Sequence, residues 1–164
     1  MSRAARDHLI SFAPGLWTHS IEELRRRGDG RRESGAFLLS PLGGDGRCVT
    51  SVSYYDDLDA TALRGGLRLG SDAFTLLWNR CERERLRVIG DIHTHPWSIV
   101  RQSGIDQANP MIARVGHVAL IAPNFAQGLV SAWDVGLHHY LGNKTWRSWF
   151  GGDSAQLLDT DGVR

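Results

Sequence analysis

Gly90-Asp91-Ile92-His93-Thr94-His95-Pro96 is the stretch from which the fold can be predicted. The apolar residues Leu86, Val88 and Ile89 precede it, which predicts that the two histidines lie at the end of a buried strand. Side chains two residues apart on a strand point to the same side of the sheet, so both imidazoles face one pocket. Pro96 cannot donate a hydrogen bond to a sheet ladder, so the strand is expected to end there and a loop to begin.

Two polar residues follow this loop at a defined spacing. The pattern is His-x-His, seven residues, Ser103, two residues and Asp106. Residues three apart share one face of a helical turn, so Ser103 and Asp106 are expected side by side. Two histidines and one carboxylate are a ligand set of catalytic zinc, with water in the fourth position. The sequence therefore predicts one Zn²⁺ ion bound by His93, His95 and Asp106.

The alternative is that these histidines are ordinary structural residues. An isolated His-x-His pattern is common, and it is the complete four-residue spacing that favours a metal site. The other histidines have no metal-ligand spacing to this pattern, and they are predicted to be structural or surface residues: His8, His19, His117, His138 and His139.

The pattern resembles the JAMM motif of the JAB/MPN zinc metalloprotease family, in which two His and an Asp bind zinc and a Ser assists. That family also has an upstream Glu, followed two residues later by Gly and then by an apolar strand. Glu33-Ser34-Gly35 and the apolar residues 36–39 match this second pattern. The loop at residues 97–102, Trp-Ser-Ile-Val-Arg-Gln, is bulkier than the family pattern, which would change what docks there.

The resemblance implies hydrolysis of an amide bond by water, without a covalent intermediate. Zinc in such a ligand set lowers the pKa of a bound water from ~15.7 to about 7. Glu33 would accept a proton from that water and deliver it to the leaving amine, and Ser103 would donate a hydrogen bond to the developing oxyanion. Barrel hydrolases that share the His-x-His pattern need ~250 residues, more than the 164 residues of this chain.

The substrate class also comes from the resemblance. Active members of the family cut the isopeptide or peptide bond after the C-terminus of ubiquitin-like proteins. The chain looks most like small bacterial JAB proteins encoded beside E1-like and E2-like enzymes in antiphage operons, so a ubiquitin-like protein and these enzymes are the expected partners. Trp97 is a candidate substrate contact, and so are Leu58 and Leu63 in a predicted flexible insertion at residues 56–70. A substrate tail would bind there by strand addition.

Two other functions stay open at this point. One is a related hydrolase that processes sulfur-carrier precursors or releases a small product such as cysteine. The other is an MPN-type scaffold that binds partners without catalysis. Such scaffolds usually lose metal ligands. This chain keeps all five residues of the family pattern, namely Glu33, His93, His95, Ser103 and Asp106.

Composition excludes several other classes of protein. The net charge of +1 gives no sign of binding to nucleic acid or to an anionic membrane. No apolar stretch has the length of a membrane span, and no apolar segment of the signal-peptide type follows the first residues. Cys48 and Cys81 form no C-x-x-C pair and need not be bonded, so a cytoplasmic protein with free thiols is expected.

The predicted fold class is α/β: a JAB/MPN-like (cytidine-deaminase-like) mixed β-sheet sandwiched by two main α-helices. Residues 1–150 are expected to form a single domain, and residues 151–164 a polar, loosely held tail. The two helices are predicted at residues 16–27 and 73–85, the second packing Phe74, Leu76, Leu77, Trp78 and Cys81 on the sheet. Strands are predicted at residues 8–12, 33–41, 47–55, 86–95, 117–123, 130–135 with a continuation through 140, and 144–150.

Overall fold

The computed structural model describes residues 7–162, and residues 1–6 of the predicted domain and 163–164 of the predicted tail lie outside this range. Its centre is a six-stranded sheet formed by β2 (Gly35–Pro41), β4 (Ser51–Tyr54), β5 (Leu86–Thr94), β6 (Val118–Ala122), β7 (Gly136–Gly142) and β8 (Thr145–Trp149). The order of the strands across the sheet is β4-β2-β5-β6-β7-β8.

The sheet is mixed, as predicted. β5 and β6 are parallel neighbours, whereas β2–β4, β2–β5, β6–β7 and β7–β8 are antiparallel pairs. A parallel pair requires a crossover connection, and here residues 95–117 provide it. The crossover begins where β5 ends, which brings its residues close to the last side chains of that strand.

Two long helices cover the opposite faces of this sheet: α1 (Leu16–Gly28) and α3 (Ser71–Glu84). Alternate residues of β2 show the division, since Leu38 packs in the same apolar cluster as Leu24 of α1, whereas Phe37 packs with Leu77 of α3. This alternation follows from the period of two along a strand. The predicted sandwich of a mixed sheet between two helices is therefore confirmed.

A β-bulge interrupts the pairing of β5 with β2. Leu38 lies opposite Gly90 and Leu39 opposite Val88, so Ile89 is an extra residue without a partner on β2. A bulge of this kind changes which side chains of a strand share a face. Val88 accordingly packs on the side of α3, although a residue four positions later, Ile92, packs on the side of α1.

A second, three-stranded sheet was not expected from the sequence. It contains the parallel strands β1 (Ile10–Phe12), β3 (Cys48–Val49) and β9 (Leu158–Asp159). The strand predicted at residues 47–55 is thus divided at Thr50 between two sheets.

The prediction of a loosely held tail from residue 151 onwards is wrong for the residues that the structure describes. Residues 151–157 form α5 (Gly151–Leu157), and β9 follows directly. The side chain of Leu158 is only 2% exposed, and Ser154 is fully buried. The segment is therefore packed into the domain.

Other expectations are corrected in detail. The predicted strand at residues 130–135 is instead irregular, with a turn at residues 132–134. The backbone N–H and the hydroxyl of Ser131 both donate to the Asp134 carboxylate, which favours a turn over a sheet ladder. On α3, Leu77 and Cys81 are buried, but Leu76 and Trp78 are about half exposed. Within residues 7–162, no helix combines the length and the apolar character that a membrane span requires.

Candidate metal centre

Three side chains meet at the end of β5, as the sequence predicts. The Nε2 atoms of His93 and His95 lie 3.3 Å apart. Asp106, on the short helix α4 (Gly104–Ala108), places its Oδ1 3.8 Å from Nε2 of His93 and its Oδ2 3.5 Å from Nε2 of His95. One ligand atom from each residue lies within 4.8 Å of the other two.

This geometry fits a single tetrahedral ion. With bonds of about 2.0–2.1 Å to zinc, two ligand atoms in a tetrahedron lie roughly 3.3–3.4 Å apart. The 3.3 Å between the two imidazole nitrogens matches that value, and each nitrogen lies 3.5 or 3.8 Å from one of the two oxygens of Asp106. Because both histidines are buried and present nitrogen towards one carboxylate, the donor set matches the preferences of zinc.

The loop after His95 determines which ring nitrogen is free to bind a metal. Nδ1 of His95 donates to the carbonyl of Ile99 at 2.8 Å, which leaves the lone pair on Nε2. Burial lowers the pKa of His95, but the contact with Asp106 and the Ile99 carbonyl outweigh this effect and raise it. Metal binding requires the neutral ring, whereas the raised pKa of His95 favours the protonated ring. Protonation of His95 therefore opposes metal binding at low pH.

The same loop is fastened at its next residue to β7. Nε2 of His138 donates to the carbonyl of Val100 at 3.0 Å, and Nδ1 accepts from the Ser148 hydroxyl at 2.7 Å. Gly136 allows the close approach, since a Cβ at this position would collide with the Val100 carbonyl. Burial lowers the pKa of His138 to about 4, so the ring is neutral at pH 7. The predicted structural role of His138 thus includes holding the metal-site loop.

Ser103 holds the carboxylate ligand through a capping box. Its hydroxyl and its backbone N–H both donate to Oδ2 of Asp106 at 2.8 Å, and the N–H of Asp106 donates back to the hydroxyl at 3.1 Å. Burial acts to raise the pKa of Asp106, but His95, the charge of His93 and these bonds hold it well below its usual range. The capping box explains physically why a Ser and an Asp three residues apart are needed here.

Glu33 lies two residues before the start of β2 and lines the same cavity as the three candidate ligands. The chain is fixed at the next residue, because the N–H of Ser34 donates to the Thr94 hydroxyl and the Ser34 carbonyl accepts from the Thr94 N–H. Gly35 is required because a Cβ there would collide with the ring of Tyr55. The Glu-x-Gly pattern thus places Glu33 beside the end of β5, where His93 is on the strand and His95 directly follows it.

The cavity has a volume of about 440 Å³ and contains most of the predicted site. Six predicted residues line it: Glu33, His93, His95, Trp97, Ser103 and Asp106. Leu58 and Leu63 do not line it, so the structure does not place these two candidates at the site. They belong to an apolar cluster with Tyr55 and Leu77, in which Leu63 is only 5% exposed.

Another part of the predicted insertion lines the cavity instead of Leu58 and Leu63. Residues 65–69, Gly-Gly-Leu-Arg-Leu, line the cavity, as do Trp97, Met111 and Trp146. The insertion is not a flexible segment throughout, since residues 55–58 form the single-turn helix α2 (Tyr55–Leu58). Asp59 accepts from Thr61 and from the N–H of Gly70, which closes the segment into a compact loop.

The sequence patterns indicate no role for Asp91, and they predict a structural or surface position for His117. Asp91 lines the cavity beside His93, and its Oδ2 accepts from Nε2 of His117 at 2.6 Å. Burial opposes the ionised form of Asp91, but the hydrogen bond from His117 outweighs it and lowers the pKa of the carboxyl. The alternation Asp91-x-His93-x-His95 was the available signal, because residues two apart on a strand share a face.

Comparisons with known proteins bear on the fold. No protein-family model matches the chain. The solution structure of a protein from Desulfitobacterium hafniense superposes with a TM-score of 0.62 at 15% identity, covering 92% of both chains. The solution structure of a protein from Salinibacter ruber gives a TM-score of 0.56 at 16% identity, covering 84% of this chain and 87% of that one.

A crystal structure of a JAB1/MPN domain protein from Archaeoglobus fulgidus superposes with a TM-score of 0.46 at 14% identity, covering 92% of this chain and 96% of that one. The two solution structures show that the fold occurs in other proteins. At such low identities, the likeness concerns the arrangement of helices and strands alone.

Proposed function

We propose that this protein is a zinc-dependent hydrolase of amide bonds, a metallopeptidase of the JAB/MPN type. One observation carries the proposal: the ligand atoms of His93, His95 and Asp106 lie within 4.8 Å of one another, and Glu33 lines the same cavity. Metal ligands together with a free carboxylate in one open cavity are the parts that hydrolysis by activated water requires.

The residues then take the following roles. Zinc, when bound, supplies Lewis-acid activation of water and of a carbonyl group at neutral pH. Glu33 accepts the proton of the attacking water and returns it to the leaving amine. Because it is only half buried and is not a member of the ligand cluster, its carboxylate is free for this task.

Ser103 has two hydrogen-bond donors, its backbone N–H and its hydroxyl, so it can hold Asp106 with one and stabilise an oxyanion with the other. Its hydroxyl carries one proton, which points to Asp106 in this structure. If the hydroxyl turns towards a developing oxyanion, the backbone N–H of Ser103 still holds the same carboxylate oxygen at 2.8 Å. The ligand therefore keeps its position while the hydroxyl stabilises the transition state.

For the substrate we propose the C-terminal tail of a ubiquitin-like protein, with E1-like and E2-like enzymes as further partners. An extended chain would suit this cavity, since Gly65 and Gly66 contribute backbone without side chains to its wall. Trp97 is 62% exposed on the same cavity and offers a large apolar surface to the chain that enters. Backbone hydrogen bonds to such a tail would supply affinity with little dependence on side chains.

The experiment is cleavage of ubiquitin fused through its C-terminal glycine to a reporter protein. Wild type, Glu33→Gln, and wild type stripped by a chelator and then reloaded with zinc are compared. We expect cleavage only by the zinc-loaded wild type, with a loss of roughly 10²–10⁴-fold for Glu33→Gln, because general-base catalysis contributes about that factor. Zinc content, measured on both proteins, should be the same.

The outcomes separate the three candidate functions. Stoichiometric zinc with no cleavage of the fusion, but with hydrolysis of a short C-terminal tail peptide, favours the hydrolase of sulfur-carrier precursors or small products. Zinc binding without hydrolysis of either substrate contradicts the proposed substrate. A chain that binds no zinc contradicts the enzyme and leaves the non-catalytic scaffold.

A further inference from the structure

A buried carboxylate beside the metal centre has no role in the function proposed above. Asp91 is only 3% exposed and lies two residues before His93 on the same face of β5. Removal of a carboxylate from water costs free energy unless its oxygens find charged or hydrogen-bonding partners. The partners of Asp91 therefore indicate what the residue does.

The two oxygens of Asp91 face different histidines. Oδ2 accepts a 2.6 Å hydrogen bond from Nε2 of His117, which is itself 3% exposed. Oδ1 lies 3.9 Å from Nδ1 of His93, longer than a hydrogen bond but close enough for the carboxylate charge to act on that nitrogen. The opposite nitrogen of His93, Nε2, is the one that faces His95 and Asp106.

We propose that Asp91 is a positioning residue for His93, and that His117 in turn holds Asp91. The negative oxygen favours the tautomer of His93 that carries its proton on Nδ1. That tautomer leaves the lone pair on Nε2, where the other two ligand atoms converge. The inference rests on the proposed function, since it takes His93 to be a zinc ligand, and it adds a carboxylate–histidine pair behind that ligand.

A purely structural role explains the buried contact between Asp91 and His117 less well than a positioning role does. β5 and β6 are already joined by a parallel ladder in which Gly90 pairs with Val118 and Asp91 with Ala119. The contact between Asp91 and His117 is therefore not needed to join the strands. The carboxylate also lines the metal cavity, where a neutral residue of similar size would fill the space without the cost of a buried charge.

The test is the zinc affinity of the full chain, measured by competition with a chromophoric chelator at pH 7.5. Asp91→Asn keeps the size of the side chain and removes its charge. We expect zinc to bind roughly 10–100-fold more weakly than to wild type, the usual effect of losing such a partner. Ser40→Ala is the matched control, because Ser40 is buried on β2 of the same sheet and has no hydrogen-bond partner among the described residues.

A second pair of variants tests the chain of contacts without changing Asp91. His117→Ala removes the donor and should also weaken zinc binding, whereas His117→Gln can donate to Asp91 and should regain most of the affinity. Thermal unfolding of the zinc-free proteins is recorded in parallel. A structural pair would lower the unfolding temperature without this selective change in affinity.

The inference is overturned if folded Asp91→Asn binds zinc within twofold of wild type. If Asp91→Asn does not fold, equal zinc affinities of His117→Ala and wild type overturn it instead. A wild-type chain that binds no zinc refutes the proposed function, and with it the assignment of His93 as a ligand. Failure of the fusion-cleavage experiment alone leaves the affinity measurement valid, so the two results are distinguishable.

Discussion

At the scale of single residues, Gly35 makes room for the ring of Tyr55 near the candidate metal ligands. A Cβ at this position would collide with two carbons of that ring and press on the carbonyl of Ile92. All three residues are buried, so little movement is available to relieve the overlap. The glycine that follows Glu33 at a distance of two is thus a packing requirement of the site.

Gly35→Ala is expected to lower the free energy of unfolding by about 1–3 kcal/mol, the usual cost of overpacking a core. Gly43→Ala is the matched control, since a Cβ at Gly43 meets no atom of the described residues within 4 Å. The control should change stability by less than about 1 kcal/mol. Urea unfolding of both variants measures the difference, and equal stabilities would contradict the packing argument.

His138 makes stability depend on pH. Its pKa is about 4 in the folded protein against an ordinary value of 6.5, so between these values the unfolded chain binds more protons. The neutral His138 ring makes its full contribution to the free energy of unfolding above pH ~6.5. This contribution, at most ~3 kcal/mol, is lost as the pH falls towards 4. His138→Gln, which can donate to Val100 and accept from Ser148, should lack this part of the pH dependence.

The measurement is urea unfolding of metal-free wild type and His138→Gln at pH values from 7.5 to 4. The exposed His19 supplies the control, because His19→Gln should leave the pH dependence of wild type unchanged. A pH profile of His138→Gln identical to that of wild type would show that His138 is not the group responsible.

At the scale of elements, the segment of α5 and β9 completes the small sheet. Its register places Leu158 opposite Ile10 and Asp159 opposite Ser11, about 150 positions apart in the chain. Leu158 is 2% exposed and packs in the same apolar cluster as α1. The segment therefore contributes to the core that lies on one face of the large sheet.

Leu158→Ala should lower the free energy of unfolding by about 2–5 kcal/mol, because it leaves a cavity in this core. Leu129 is fully exposed, so Leu129→Ala should change stability by less than about 0.5 kcal/mol. Thermal or urea unfolding of the two variants decides between a packed segment and a loosely held tail. If the two variants are equally stable, the segment that contains Leu158 is a loosely held tail.

Sequence patterns did not predict that residues 151–159 form α5 and β9, and the reason is physical. Residues 151–157 are mostly small and polar, and only long-range pairing with β1 makes the next two residues a strand. Local composition cannot reveal such pairing. The same limit applies to Leu58 and Leu63, which are apolar residues in a polar segment and pack in the core instead of facing the cavity.

At the scale of the whole molecule, zinc should stabilise the folded chain, because the ligands are brought together only in the folded state. A free zinc concentration 100 times Kd adds ~2.7 kcal/mol to the free energy of unfolding. Asp106→Asn removes the carboxylate ligand and should abolish most of this gain. Thermal unfolding with and without zinc measures it, and an equal zinc-dependent shift in wild type and Asp106→Asn would contradict the ligand assignment.

The sheet, its two covering helices and the ligand cluster could be predicted because they depend on local signals. Apolar periodicity marks β5, and the spacing from His95 to Asp106 is a short-range pattern. The cavity wall at residues 65–69 and the partner of Asp91 depend on which elements meet in three dimensions. Those features could be known only from the structure.

The extra residue in β5 restricts how the length of this chain can vary. Loss of Ile89 alone would make the pairing with β2 regular and leave His93 on its present face, because Leu38 and Leu39 would then lie opposite consecutive residues. Gain or loss of one residue between Gly90 and His93 would instead exchange the two faces there and turn the histidine towards α1. A change of two residues would preserve the direction of the side chain. Among homologous sequences that keep the candidate metal ligands, insertions and deletions should therefore occur in the turn at residues 42–46 or at the position of Ile89, and any between Gly90 and His93 should come in even numbers.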